Sequence, residues 1–128
     1  MSTILAIEDA QDNFDLFEDA LGETHELMHA ETGQDGLIQA RSRRPDLILL
    51  DMGLPKISGW EVARRLKADP ALRGIPLIAV TAHAMRGDRE KCLAVGCDDY
   101  MPTPVNVKEL VESVEHYLEH CETLAPSQ

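Results

Sequence analysis

The sequence predicts an α/β domain built on a mostly parallel, five-stranded sheet. Two observations carry this expectation. Five short apolar runs alternate with stretches of helical patterning along the 128 residues, and strands that alternate with helices form parallel sheets covered by those helices. The runs also differ in kind. The first, third and fourth are almost continuously apolar, as strands covered on both faces must be, while the second and fifth are broken by polar residues or proline. The first, third and fourth runs therefore belong in the centre of the sheet and the other two at its edges.

The elements follow in order. ILAI (Ile4–Ile7) precedes a helical stretch with Phe14, Phe17 and Leu21 on one face, closed by Gly22. ELMHA (Glu26–Ala30), interrupted by Glu26 and His29, leads to a stretch carrying Leu37, Ala40 and Arg41. The basic end of that stretch, RSRR (Arg41–Arg44), complements a helix dipole. DLILLD (Asp46–Asp51) passes through a Gly/Pro loop to GWEVARRLKAD, and IPLIAVT (Ile75–Thr81) leads to GDREKCLAVG, closed by Gly96. DYMP leads to Val107–Leu118, where Val107, Leu110, Val111, Val114 and Leu118 recur at helical spacing. The closing TLAPSQ reads as a frayed tail, giving one domain over residues 1–122 and a tail over 123–128.

Composition narrows the function. The chain is long enough for one core and too short for two, and its 44% hydrophobic and 27% charged residues are ordinary for a globular domain. A net charge of −11 argues against affinity for nucleic acid or anionic membrane, both of which need a positive field. Three cysteines (Cys92, Cys97, Cys121) form no CxxC pair, which fits reduced cytoplasmic thiols, with Cys92 and Cys97 read as packing residues. MSTILAIED lacks the basic region of a signal peptide, and no apolar run approaches a membrane span. A cytoplasmic domain is expected.

In a parallel sheet the residues just past the strand ends share one rim, where ligands of open α/β sheets bind. The first run is followed by Glu8 and Asp9, the third ends in Asp51, the fourth ends in Thr81, and the fifth delivers Thr103. Three carboxylates and two hydroxyls should therefore meet. Close carboxylates repel unless a cation intervenes, and an oxygen-only donor set suits Mg²⁺. Mg²⁺ beside a nucleophilic carboxylate and a hydroxyl donor is equipment for phosphoryl transfer to an aspartate. Helix capping would account for Asp9, but not for Asp51, which precedes the loop MGLPKIS and lies several residues before the next helix. A dinucleotide site needs a glycine-rich turn after the first strand; the acidic EDAQDN there would repel pyrophosphate. A P-loop is absent from the sequence.

From Ile4 to about Leu118 the chain resembles a response-regulator receiver domain of two-component signalling. The resemblance rests on the acidic pair Glu8-Asp9, on LLDMGLPKISG around Asp51, on AVTA ending at Ala82, and on GCDDYMPTPV. It implies a flavodoxin-like fold with strand order 2-1-3-4-5. It also implies that Asp51 accepts a phosphoryl group from a histidine kinase or histidine phosphotransfer protein. Asp9, Asp51 and the carbonyl of Gly53 would bind Mg²⁺, with Glu8 acting through a metal-bound water. Thr81 would hydrogen-bond the phosphoryl oxygens, and Tyr100 would turn inward with it, remodelling the face of the fourth helix, fifth strand and fifth helix. Because the resemblance takes up nearly the whole chain, it implies a stand-alone regulator that signals through a downstream effector protein, and a phosphoacceptor rather than an enzyme.

One position departs from the family. Receivers ordinarily place a lysine where this chain has Thr103, followed by the proline that here is Pro104. A unit charge at 4 Å contributes about 4 kcal/mol at an effective dielectric of 20, and desolvation reduces the net loss to roughly 1–3 kcal/mol. Mg²⁺ carries twice that charge and touches oxygen directly, so phosphorylation of Asp51 is expected to survive with weaker coupling to the switch. Lys56 and Arg86 are candidate substitute cations in the neighbouring loops. The alternative is a phosphorylation-independent adaptor. A Mg²⁺-dependent phosphatase is disfavoured, because such enzymes use paired aspartates after the first strand. Elsewhere, His83 could influence a water attacking the phosphoryl group or be a solvated loop residue. His116, His120 and Cys121 have metal-compatible spacing, but are read as residues of a helix C-terminus.

Overall fold

The computed structural model describes residues 2–81 and 88–124, with only the backbone for residues 88 and 120–124. The strands are β1 (Ser2–Ile7), β2 (His25–Ala30), β3 (Leu47–Asp51), β4 (Leu77–Thr81) and β5 (Asp99–Pro102). The helices are α1 (Gln11–Leu21), α2 (Gly33–Arg43), α3 (Gly59–Ala68), α4 (Asp88–Ala94) and α5 (Val107–Leu124). All sheet pairings are parallel and the order is β2-β1-β3-β4-β5. The two interrupted runs are the edges, as their polar residues and proline indicate.

The continuous apolar character of β1 follows from its two buried faces. Ile4 and Ala6 point to one core with Phe14, Phe17 and Leu21 of α1 and Leu110, Val114 and Leu118 of α5. Leu5 and Ile7 point to the other, with Leu37 and Ala40 of α2, Val62, Ala63 and Leu66 of α3, and Cys92 of α4. Each fully buried Leu or Ile stabilises the fold by about 1.5–3 kcal/mol. Cys97 is buried beside Cys92 in the second core, which pushes its thiol pKa up to about 12, so it packs as a small hydrophobe.

Local chemistry sets the helix ends. Thr32 caps α2 by accepting from the Asp35 N–H at 3.0 Å, and Ser58 caps α3 by accepting from the Glu61 N–H at 3.3 Å. Arg44 closes α2 in the left-handed region, at φ 42°, and Gly96 turns the chain after α4 at φ 105°. Arg41 of the basic stretch also pairs with Asp69 at 3.6 Å. The apolar stripe of α5 buries Leu110, Val114 and Leu118, while Val107 at its first turn stays exposed. The helix runs through Leu124, covering the first two residues of the stretch read from sequence as a tail.

Helix α5 is tied to both sheet edges. Glu115 meets Nε2 of His25, at the start of β2, at 2.6 Å. Ser113 donates to Asp99 of β5 at 2.9 Å, and the Tyr117 hydroxyl donates to the Asp98 carbonyl at 2.9 Å. At the opposite face α3 begins against the end of β3. A Cβ on Gly59 would stand 2.4 Å from the Asp51 carbonyl oxygen and 2.4 Å from the Met52 Cα, so only glycine permits this approach. Gly59→Ala is expected to destabilise the fold by more than about 2 kcal/mol. Denaturant unfolding measures this, and an unchanged midpoint would refute the close-packing account.

Candidate functional site

Sheet register brings the rim together. Ile7 pairs with Leu50, so Glu8 stands level with Asp51; Asp51 pairs with Val80, and Thr81 pairs with Pro102. Thr103 follows one residue later. Glu8 is buried, Asp51 half-buried and Asp9 exposed. One oxygen from each of the three carboxylates lies within 4.8 Å of the others.

Glu8 is held at four points. Its N–H donates to the Ala30 carbonyl at 2.9 Å, and its own carbonyl accepts from His29 Nε2 at 2.8 Å. Its carboxylate accepts from the Ala10 N–H at 3.1 Å and from Asn13 Nδ2 at 3.2 Å. Asp51 Oδ1 accepts from the Gly53 N–H at 2.9 Å, which places the Gly53 peptide beside the site. Neither Asn13 nor His29 carries a sequence signal that points to this site. Asn13 lies on the first turn of α1, directly after the acidic loop. In the sequence His29 reads only as a polar interruption of an edge strand.

The electrostatics follow from this crowding. Burial raises the Glu8 carboxyl to about 8, with the Asp51 hydrogen bond and charge adding to the effect. Burial also raises Asp51; the Gly53 N–H and Glu8 oppose that shift, while Asp9 adds to it. Without a metal, Glu8 therefore holds a proton against Asp51. An oxygen-only set of three carboxylates under mutual repulsion fits Mg²⁺. Among the described residues, no Lys or Arg forms an ion pair with these carboxylates. Lys56 is exposed in the loop after Asp51, at φ 64°. Arg86, His83 and Ala82 lie outside the described residues.

The hydroxyl positions differ from each other. Thr81 is buried at the end of β4. Thr103 is half-buried; its N–H donates to the Thr81 carbonyl at 2.8 Å, and its hydroxyl makes a longer contact to the same oxygen at 3.4 Å. The Thr103–Pro104 peptide is cis. Tyr100 pairs with Ala79, is half-buried, and packs on the core that contains Cys92 of α4. Side chains two apart on a strand share a face, so Tyr100 and Thr81 lie on the same side of the sheet. On α5, His116 is exposed and meets Tyr117 edge-on at 5.1 Å, while the side chains of His120 and Cys121 lie outside the described residues.

The profile of the response regulator receiver domain matches residues 4–115. The chain belongs to this family. The receiver is 42% identical over 117 residues to the polar-differentiation response regulator DivK of Brucella anthropi, an alignment covering 91% of this chain and 95% of that protein. Its structure is similar to the receiver domain of a sensor histidine kinase from Pseudomonas aeruginosa, with a TM-score of 0.84 and 32% identity over 92% of this chain and 98% of that one. That crystal structure has magnesium coordinated in its active-site cleft. A CheY-like receiver protein from Methanospirillum hungatei matches at TM-score 0.86 and 29% identity, covering 96% of this chain and 98% of that one. Receivers are signalling domains of two-component systems and bind Mg²⁺ in an acidic pocket, chemistry that the Glu8, Asp9 and Asp51 cluster can supply. Among the described residues no helix of this receiver is long and apolar enough to cross a membrane.

The raised Glu8 pKa has a consequence for stability. The folded chain keeps up to about pH 8 a proton that an unfolded glutamate releases near 4.5. The metal-free receiver should therefore lose stability as pH rises between those values, because the folded state binds more protons there. Thermal melts of the wild type and Glu8→Gln in chelator check this: the pH slope should be shallower in the variant. Identical slopes would refute it.

Proposed function

We propose that this receiver accepts a phosphoryl group on Asp51 in a Mg²⁺-dependent reaction. The donor is a histidine kinase or histidine phosphotransfer protein, and the signal passes in the cytoplasm to an effector protein through the α4–β5–α5 face. The observation that carries the proposal is the half-buried Asp51 carboxylate at the sheet rim, with oxygens of Glu8 and Asp9 within 4.8 Å. Asp9, Asp51 and the Gly53 carbonyl would hold Mg²⁺, with Glu8 behind them. Once bound there, Mg²⁺ offsets the negative charge of the carboxylates and of the incoming phosphoryl oxygens.

The chain's own contribution is positional. The Gly53 N–H orients the Asp51 carboxylate, and Asp51 offers its second oxygen to phosphorus. The new O–P bond forms as the N–P bond of phosphohistidine breaks, leaving the electron pair on the imidazole nitrogen. The Thr81 hydroxyl then donates to a phosphoryl oxygen, and Tyr100, on the same face of the sheet, follows it inward.

Position 103 supplies no charge. Its hydroxyl faces the Thr81 carbonyl, which supports a phosphoryl state less tightly coupled to the switch than a lysine would make it. The missing cation also favours a second reading, an adaptor that binds its partner regardless of Asp51. Acetyl phosphate with Mg²⁺ should add the mass of one phosphoryl group to the wild type and none to Asp51→Asn. No gain in the wild type would end the proposal, and partner binding unaffected by Asp51→Asn would establish the adaptor. Thr103→Lys should change the phosphoryl lifetime and strengthen phosphorylation-dependent partner binding. If both stay at wild-type values, position 103 has no part in coupling.

A further inference from the structure

We propose that His29 is a positioning residue for the acidic pair: it holds the peptide unit joining Glu8 to Asp9 in the orientation that brings Asp9 to Glu8 and Asp51. This rests on the Mg²⁺ reading of the site.

The geometry is specific. His29 Nε2 lies 2.8 Å from the Glu8 carbonyl oxygen. A carbonyl only accepts, so Nε2 carries the proton and donates. The ring is fixed in the plane this bond needs, because it stacks on Phe14 with centroids 4.0 Å apart and planes 7° apart. His29 pairs in register with Ala6, whose small side chain leaves room for the ring on the α1 face of the sheet. Its own backbone is braced as well, since Gln39 Nε2 donates to the His29 carbonyl at 3.0 Å.

The restrained group matters as much as the restraint. The Glu8 carbonyl belongs to the same planar unit as the Asp9 N–H, and peptide planarity makes fixing one end fix the other. Glu8 has its side chain held independently, by the Ala10 N–H and Asn13. Asp9 is exposed, so little packing holds it, and the peptide before it sets the position from which its side chain reaches Asp51. Groups that orient metal ligands without touching the metal set its affinity. His29 occupies that place here, reaching the pair from the edge strand rather than from the rim loops.

Three substitutions of His29 in the full chain separate donor from packing. His29→Phe keeps a ring against Phe14 and loses the donor. His29→Gln places an amide nitrogen as many bonds from Cα as Nε2, whereas the amide of His29→Asn corresponds to Nδ1 and falls short. Calorimetric Mg²⁺ titration should show about tenfold weaker binding for the Phe and Asn variants and near wild-type binding for Gln. The order parameter of the Asp9 N–H, from 15N relaxation on the metal-free chain, should fall in Phe and Asn and stay at the wild-type value in Gln. Gln as weak as Asn, or all three equal to wild type in both measurements, would overturn the proposal. A wild type that binds no Mg²⁺ would remove the metal reading instead. The Asp9 order parameters would still decide whether His29 holds the peptide.

Discussion

Three carboxylates with oxygens within 4.8 Å of one another repel. At that separation each pair of full charges costs about 3–4 kcal/mol at an effective dielectric of 20, a large fraction of the stability of an ordinary domain. The metal-free chain lessens the cost by keeping a proton on Glu8 and by aiming the Ala10 and Gly53 N–H groups and the Asn13 amide at the oxygens. The remaining strain is what a divalent cation would relieve. A site that binds a cation through repulsion works only if its ligands cannot drift apart, so the rest of the fold has to be stiff.

That stiffness comes from the sheet. Strands β1, β3 and β4 are buried on both faces, and their shared direction delivers Glu8, Asp51 and Thr81 to one rim. Helix α5 clamps both edges through His25, Ser113 and Tyr117. On the opposite side Gly59 lets α3 start in contact with the backbone of Asp51 and Met52. A displaced Asp51 would therefore have to displace a helix as well.

Charge distribution makes position 103 more consequential than one substitution suggests. The first Lys or Arg in the chain is Arg41, so the segment carrying Glu8 and Asp9 brings no cation of its own. Arg41 is bound to Asp69 and Lys67 to Asp98, away from the acidic rim. With threonine at 103, no Lys or Arg among the described residues pairs with the site's carboxylates, and a bound Mg²⁺ would supply the compensating charge. The Thr103 hydroxyl meets a backbone oxygen of β4, so this side chain braces the strand end.

The sequence by itself determined the fold class, the central and edge strands, and the set of rim residues. Continuous apolar runs, polar interruptions and strand-end acids are local patterns that one parallel arrangement satisfies. The two side chains that help hold Glu8 in place are not legible in the sequence. Asn13 looks like any polar residue of a first helical turn, and His29 like any polar residue of an edge strand. Their roles depend on contacts across a helix and a neighbouring strand, which no periodicity encodes. The partner of the Thr103 hydroxyl was equally hidden, because a hydroxyl at a strand end can turn toward the rim or toward the neighbouring backbone. Only tertiary structure decided which partner it takes, since that choice is a side-chain rotation set by neighbours far apart in the chain.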